Sequence, residues 1–245
     1  MLSALRSSVN RTISKSFSTT LINTKEPLID PTQAALLNEK CFLVDTNDNI
    51  IGQANKKECH LVQPNGDIPL HRAFSVFLFN KRGDLLLQKR SSHKVTYANT
   101  YTNSCCSHPI ADYPEEAENV IGTKKAAIRR LNYELGIPKE QLHLDQLQYM
   151  TRILYKDEGD GVWGEHELDY VFILQSDLKI KPNSNEISEI SYVPRAELDF
   201  FLKEMRDPFT PWFMIILKHR LRLWWDNLDR LEDFADHDKI YHFKK

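Results

Sequence analysis

Ala73–Phe79 is a continuous apolar run broken only by Ser75, and it leads straight into the turn Asn80-Lys-Arg-Gly-Asp84 and the apolar segment Leu85–Lys89. Short runs rich in aromatic and aliphatic residues, bounded by turn residues, read as strands. The same signal predicts strands over Cys41–Val44 and Ile50–Gln53, joined by the turn Thr46-Asn-Asp-Asn49, and over Thr151–Tyr155 and Glu165–Gln175. Lys124–Leu135 reads as a helix, with Ala127, Leu131 and Leu135 on one face and Gly136 and Pro138 as stop signals. Pro211 suits the first turn of a long helix running to about Leu231. Helices interleaved with mostly hairpin-connected strands, without an internal repeat, predict a single α+β domain.

Near-equal numbers of basic and acidic residues, 32 against 34, argue against a nucleic-acid binder. A small anionic substrate stays open, because a few local cations suffice to bind one. No apolar run reaches the roughly 18 residues of a membrane span. Cys41, Cys59, Cys105 and Cys106 form no CxxC pair and no secreted-type framework, so they read as reduced thiols in an intracellular compartment. Residues 1–27 stand apart. They carry Arg6, Arg11, Lys15 and Lys25, are rich in Ser and Thr, and have no acid before Glu26. That composition suits a transit peptide or a disordered tail, and places the chain in the cytoplasm or a mitochondrion rather than outside the cell.

Three segments bear chemistry. In Ser104-Cys-Cys-Ser-His-Pro109, an extended backbone puts Cys106 and His108 on one face and Cys105 on the other. Such a pair could ligate a metal, act as nucleophile and base, or have no role. In Trp163-Gly-Glu-His-Glu167 the same period sets Glu165 beside Glu167, with His166 opposed. Two adjacent carboxylates repel unless a cation or a shared proton intervenes. His60 and His71 flank a loop containing Pro64, Gly66 and Pro69. Together, three histidines and two carboxylates could fill five positions around a divalent ion, and this mixed set does not choose among magnesium, manganese and zinc. Arg90, Lys94 and Lys56 would suit a diphosphate, whereas Lys57 reads as solvated surface charge.

The segments Leu70–Asn80, Thr102–Pro109, Trp163–Glu167 and Thr210-Pro-Trp212 closely resemble type I isopentenyl diphosphate isomerase, and the resemblance runs from about Leu28 to the C-terminus. It implies a Nudix fold, with mixed sheets and flanking helices, over residues 28–245. Lys124–Ile137 is similar to a degenerate Nudix helix: Arg129, Leu131, Glu134, Gly136 and Ile137 fit, while Ile121, Arg130 and Tyr133 stand where glutamates are expected. The resemblance further implies metal ligation by His60, His71, His108, Glu165 and Glu167. It implies catalysis by Cys106 and Glu167 with Tyr155 assisting, and a magnesium on the substrate diphosphate helped by Glu134. Lys56, Arg90 and Lys94 would bind the diphosphate, and Trp212 would face the reacting carbons. Tyr97-Ala-Asn-Thr100 departs from the family's aromatic-Pro-Gly pattern.

The implied reaction interconverts isopentenyl and dimethylallyl diphosphate by acid/base proton transfer in isoprenoid biosynthesis. It needs no flavin, and a monomer acting on a small diphosphate is expected. Two other readings compete. A Nudix pyrophosphohydrolase is disfavoured by the missing helix acids, and a non-catalytic Nudix-fold binding protein has no need of Cys106, Glu165 and Glu167 together.

Overall fold

A computed structural model describes residues 29–243; the expected transit segment lies outside them. In chain order the elements are α1 (Pro31–Leu36), β1 (Lys40–Val44), β2 (Ile50–Asn55), α2 (Lys56–His60), β3 (His71–Phe79), β4 (Leu85–Arg90), β5 (Tyr101–Thr102) and β6 (Cys105–Ser107). They continue with α3 (Asn119–Leu135), β7 (Gln148–Asp157), β8 (Glu165–Gln175), β9 (Ile187–Val193), α4 (Leu198–Glu204), α5 (Pro211–Ile216), α6 (Arg222–Trp225) and β10 (Ile240–Phe243).

β3 is the spine. Along one edge it pairs with β8, in parallel, from His71↔Glu167 to Phe79↔Gln175. Its other edge is shared in turn by β1 at His71, β6 at residues 74–76 and β4 at Phe79. β7 then pairs antiparallel with β8, and β10 adds a second parallel pair at the edge. The mixed sheet implied by the resemblance is borne out, and its central pair, β3 with β8, is parallel. Parallel neighbours need a long crossover, and nothing local in either strand announces a partner so far away in the chain.

Side chains alternate across the sheet, as the pleat requires. Phe74, Val76 and Leu78 of β3, with Leu168, Tyr170 and Phe172 of β8, meet Ala126, Ala127, Leu131 and Leu135 of α3. Phe77 and Phe79, with Val171 and Ile173, meet Trp212, Phe213, Ile216, Trp224 and Trp225 on the opposite face. A sheet covered on both faces explains why the Ala73–Phe79 run is apolar throughout.

The C-terminal helix is shorter than its expected extent. α5 passes through a π-helical stretch, Leu217–Leu221, into α6, which stops at Trp225. Residues Leu228–Phe234 follow as a kinked 3-10 segment. Asn227 leaves helical geometry and turns its amide onto the Leu223 carbonyl at 2.8 Å, satisfying a group at the helix end. Trp225 donates its indole N–H to Gly83 O at 2.6 Å, which ties the helix to the β3–β4 turn.

α3 begins five residues before its expected start and closes as the sequence suggests, with Gly136 in the left-handed region at φ 60°. The last carbonyls, of Glu134 and Leu135, are taken by the backbone N–H groups of Asn183 and Lys181, each at 2.8 Å. A Cβ on Gly136 would collide with the Lys181 carbonyl oxygen. Gly136→Ala is therefore expected to destabilise the chain by about 2 kcal/mol or more, a loss that urea denaturation of the two proteins measures.

Candidate active site

Strand parity and register bring the ligand candidates together at one end of the sheet, on the face covered by α5. His71 opens β3 and lies directly beside Glu167 of β8. Glu165 precedes it on the same face, while His166 points away and faces Ile68 O at 2.8 Å. His60 ends α2, a short helix fixed by reciprocal hydrogen bonds between Asn55 and Glu58. His108 follows β6. The three imidazole centroids are 4.9, 4.9 and 5.0 Å apart. One ligand atom from each of His60, His71, His108, Glu165 and Glu167 lies within 4.8 Å of all the others, and all five residues are buried.

The tautomers show what the cluster is built to hold. His60 Nδ1 is 2.6 Å from Lys56 O and His71 Nδ1 is 2.9 Å from Pro69 O, so each of these nitrogens carries a proton and donates it to the backbone. Their Nε2 lone pairs then face inward. His60 Nε2 lies 3.0 Å from Glu165 Oε2 without a hydrogen bond between them, and His71 Nε2 is 3.7 Å from Glu167 Oε1 with no partner. Lone pairs set against carboxylate oxygens repel, and a divalent cation among them converts the repulsion to attraction. Nitrogen and oxygen donors held by backbone carbonyls fit such an ion.

Protonation equilibria carry the same strain. Burial lowers the pKa of His60 and of His108 well below the ordinary imidazole value, keeping both neutral. Where no cation answers the carboxylates a proton does: burial opposes charge on His71, but the neighbouring Glu167 carboxylate outweighs it and raises the pKa to about 9. Glu165 is pushed well up by burial and by the charge of Glu167. Glu167 itself is held well below the carboxylate range, because the hydrogen bond from His108 and the nearness of His71 overcome its burial.

Beside this cluster a cavity is lined by Cys106, Glu167, Lys56, Arg90, Lys94 and Trp212, among others. Cys106 faces it while Cys105 is packed on the α3 side, as the period-two reading requires. Burial raises the Cys106 thiol to about 12, against the opposing charge of Arg90, so sulfur keeps its proton. Tyr155, paired across the ladder with Glu167, donates its hydroxyl to Glu167 Oε2 at 2.6 Å. Trp212 enters from the first turn of α5, with its indole N–H on Asn103 Oδ1 at 3.0 Å. Arg90 and Lys94 reach in from the end of β4 and the following loop, and Lys57 is exposed as expected.

Glu134 is not among the five clustered residues. It takes two hydrogen bonds from Arg130, at 2.7 and 3.0 Å. Arg130 lines the cavity and also pairs with Glu186 at 3.4 Å, while Lys94 holds Glu186 at 2.6 Å. Sequence reasoning registered Arg130 only as a missing glutamate. Its spacing of four from Glu134 on the helix was the available signal for this ion pair. Glu186 had no signal, being brought in by the segment that caps α3. In the departing loop, Tyr97 and Asn99 adopt φ values of 48° and 59°. Asn tolerates this left-handed region better than other non-glycine residues, which lets Asn99 stand in the place of glycine.

Comparison with known proteins agrees with this geometry. The NUDIX domain family matches residues 69–213. Isopentenyl-diphosphate Delta-isomerase 1 of Mus musculus is 49% identical over 90% of this chain and 98% of its own length. Isopentenyl-diphosphate Delta-isomerase I of Camptotheca acuminata is 43% identical over 87% of this chain and 95% of its own. A crystal structure of a Deinococcus radiodurans protein shares the fold, with a TM-score of 0.50 and 18% identity over 74% of this chain and 99% of that one. With 49% identity over 90% of its length to one relative and a NUDIX match running from β3 through α3 to α5, this chain belongs to the type I isopentenyl-diphosphate isomerase family of the NUDIX superfamily.

Proposed function

We infer that the chain interconverts isopentenyl diphosphate and dimethylallyl diphosphate in isoprenoid biosynthesis. One observation carries the reading from geometry: a thiol and a carboxylate, Cys106 and Glu167, line the same cavity, which Trp212 also lines. Moving the double bond adds a proton at C4 and removes one from C2, so an acid and a base must meet one substrate together. Either group can hold the proton at the start of a turnover, according to the direction in which the reaction runs. Tyr155 steadies Glu167 by its hydrogen bond. The alkene is a weak base, and positive charge builds on the tertiary carbon as C4 is protonated. The buried face of Trp212 stabilises that charge by about 2 kcal/mol.

Lys56, Arg90, Lys94 and Arg130 line the same cavity. We assign them to the diphosphate, with Glu134 as a carboxylate that would help hold a magnesium on it. Binding energy from this charged end positions the reacting carbons. His60, His71, His108, Glu165 and Glu167 are the residues that would hold a divalent ion, and magnesium, manganese and zinc all suit them. When bound, that ion supplies a fixed positive charge that sets the protonation and orientation of Glu167. No flavin takes part in this scheme. Among the described residues no helix is long and apolar enough to cross a membrane, and the substrate is a small molecule.

Incubation with isopentenyl diphosphate and magnesium should yield dimethylallyl diphosphate without flavin, and exhaustive chelation should abolish turnover. Undiminished activity after complete metal removal would contradict the role of the His/Glu cluster.

Cys106→Ala should lower kcat by about 100- to 10,000-fold with little change in stability. Cys105→Ala, on the other face, should retain turnover and cost about 1 kcal/mol of stability. Steady-state kinetics and denaturation of the two variants together test the assignment of faces.

Glu165 and Glu167 should also separate. Glutamine at 165 mainly weakens metal affinity, so activity returns as metal concentration rises. Glutamine at 167 removes the proton acceptor and leaves turnover low at saturating metal. Equal rescue of the two variants in a metal titration would mean that Glu167 has no separate catalytic part.

A further inference from the structure

We propose that Tyr97 is a positioning residue of the isomerisation: its hydroxyl latches the 96–100 loop to the end of β7, holding the aromatic wall closed over the alkenyl end of the substrate. The proposal rests on the isomerase reading above and concerns what keeps water from the cationic carbon.

The loop is held from three directions. Tyr97 OH donates to Asp157 Oδ1 at 2.8 Å, and the same oxygen accepts Gly159 N–H at 2.9 Å. Asp157 ends β7 opposite Glu165, so the latch is anchored on the hairpin that carries the two ligand carboxylates. The Tyr97 ring meets Trp212 edge-on, with centroids 5.1 Å apart and planes at 86°. The carbonyls of Thr96 and Tyr97 accept hydrogen bonds from the Arg90 guanidinium at 2.9 and 3.1 Å, and Thr100 Oγ1 donates to Tyr97 O at 2.6 Å. Arg90 in turn lies over the Trp212 ring, 5.7 Å from its centroid, and 3.9 Å from Cys106 Sγ.

One short loop therefore touches the cation that binds the diphosphate, the ring that faces the carbons and the strand end next to the metal ligands. Tyr97 is also a bulky residue in the left-handed region, with Asn99 beside it in the same region. Such a backbone persists only where its surroundings over-determine it. The backbone contacts to Arg90 and Thr100 hold the loop's inner edge, the ring rests edge-on against Trp212, and the hydroxyl on Asp157 is the hydrogen bond that ties the side chain to the end of β7.

If the latch loosens, the cationic carbon meets water. Water then adds its oxygen to C3 and releases one proton, giving a tertiary alcohol diphosphate with no electrons exchanged. Proton loss from C2, which gives dimethylallyl diphosphate, competes with this capture. The ratio of alcohol to alkene thus reads the closure of the wall directly, and a change in stability alone does not alter it.

The test uses the full-length chain with Tyr97→Phe, Asp157→Ala, the double variant and Asp157→Asn, assayed with isopentenyl diphosphate in oxygen-18 water. Tyr97→Phe should lower kcat by about 10- to 100-fold with KM little changed, because the carbonyl contacts to Arg90 remain. Labelled alcohol diphosphate should appear by mass spectrometry. Asp157→Ala should do the same, the double variant should be no worse than the poorer single one, and Asp157→Asn, which keeps an accepting oxygen, should retain most of kcat. A Tyr97→Phe enzyme with wild-type kcat and no labelled alcohol overturns the proposal. So do single losses that multiply in the double variant, or a fall in kcat matched by a fall in folded fraction. A wild-type chain without isomerase activity would instead refute the function itself.

Discussion

Glu165 and Glu167 sit buried side by side, and two carboxylates out of water at the head of one strand are stable only if their charge is answered. Much of the architecture at this end of the sheet supplies that answer. Parallel pairing of β3 with β8 brings His71 alongside Glu167. The short, capped α2 delivers His60 to Glu165, and the chain leaving β6 delivers His108 to Glu167 at 2.9 Å. The Lys56 and Pro69 carbonyls fix two imidazoles so that their lone pairs point inward. Together these contacts make a container for positive charge.

Period-two alternation made much of this legible from sequence. It separated Cys105 from Cys106 and His166 from its neighbouring glutamates, because those statements depend only on the local pleat. That the two faces of β3 and β8 enter separate cores emerges only from the fold. Pairing was less legible. β3 and β8 meet through backbone hydrogen bonds that any two such strands could form, so their parallel neighbourhood follows from the whole topology. The C-terminal helix failed for a different reason: its apolar spacing continues to Leu231, but the side chain of Asn227 offers the backbone an alternative partner and stops it earlier. Glu186 and Asp157 could not have been found locally, since each acts on residues brought to it by distant parts of the chain.

α3 explains how one fold is turned from one chemistry to another. The helix keeps its position against the sheet, its apolar face and its left-handed glycine terminus. What changed is the polar face that looks toward the substrate. Arg130 stands where the hydrolase pattern has an acid, and it occupies Glu134, the acid that remains. The helix thus contributes a cation to the pocket, and the candidate metal ligands lie at the end of the sheet instead. Conservation of the scaffold with relocation of the charged groups is what allows a fold to be shared without its reaction being shared.

The carboxylates paired with the pocket's cations have a consequence for the bond that must not break. Dimethylallyl diphosphate is an allylic ester of a good leaving group, and concentrated positive charge around its oxygens would promote departure of the diphosphate. Here Glu186 accepts from Lys94 and pairs with Arg130, and Glu134 accepts twice from Arg130. In the diphosphate assignment proposed above, these cations would hold the anion with part of their charge already paired. Under that assignment the ion pairs would restrain ionisation of the allylic product as well as position it for the proton transfers.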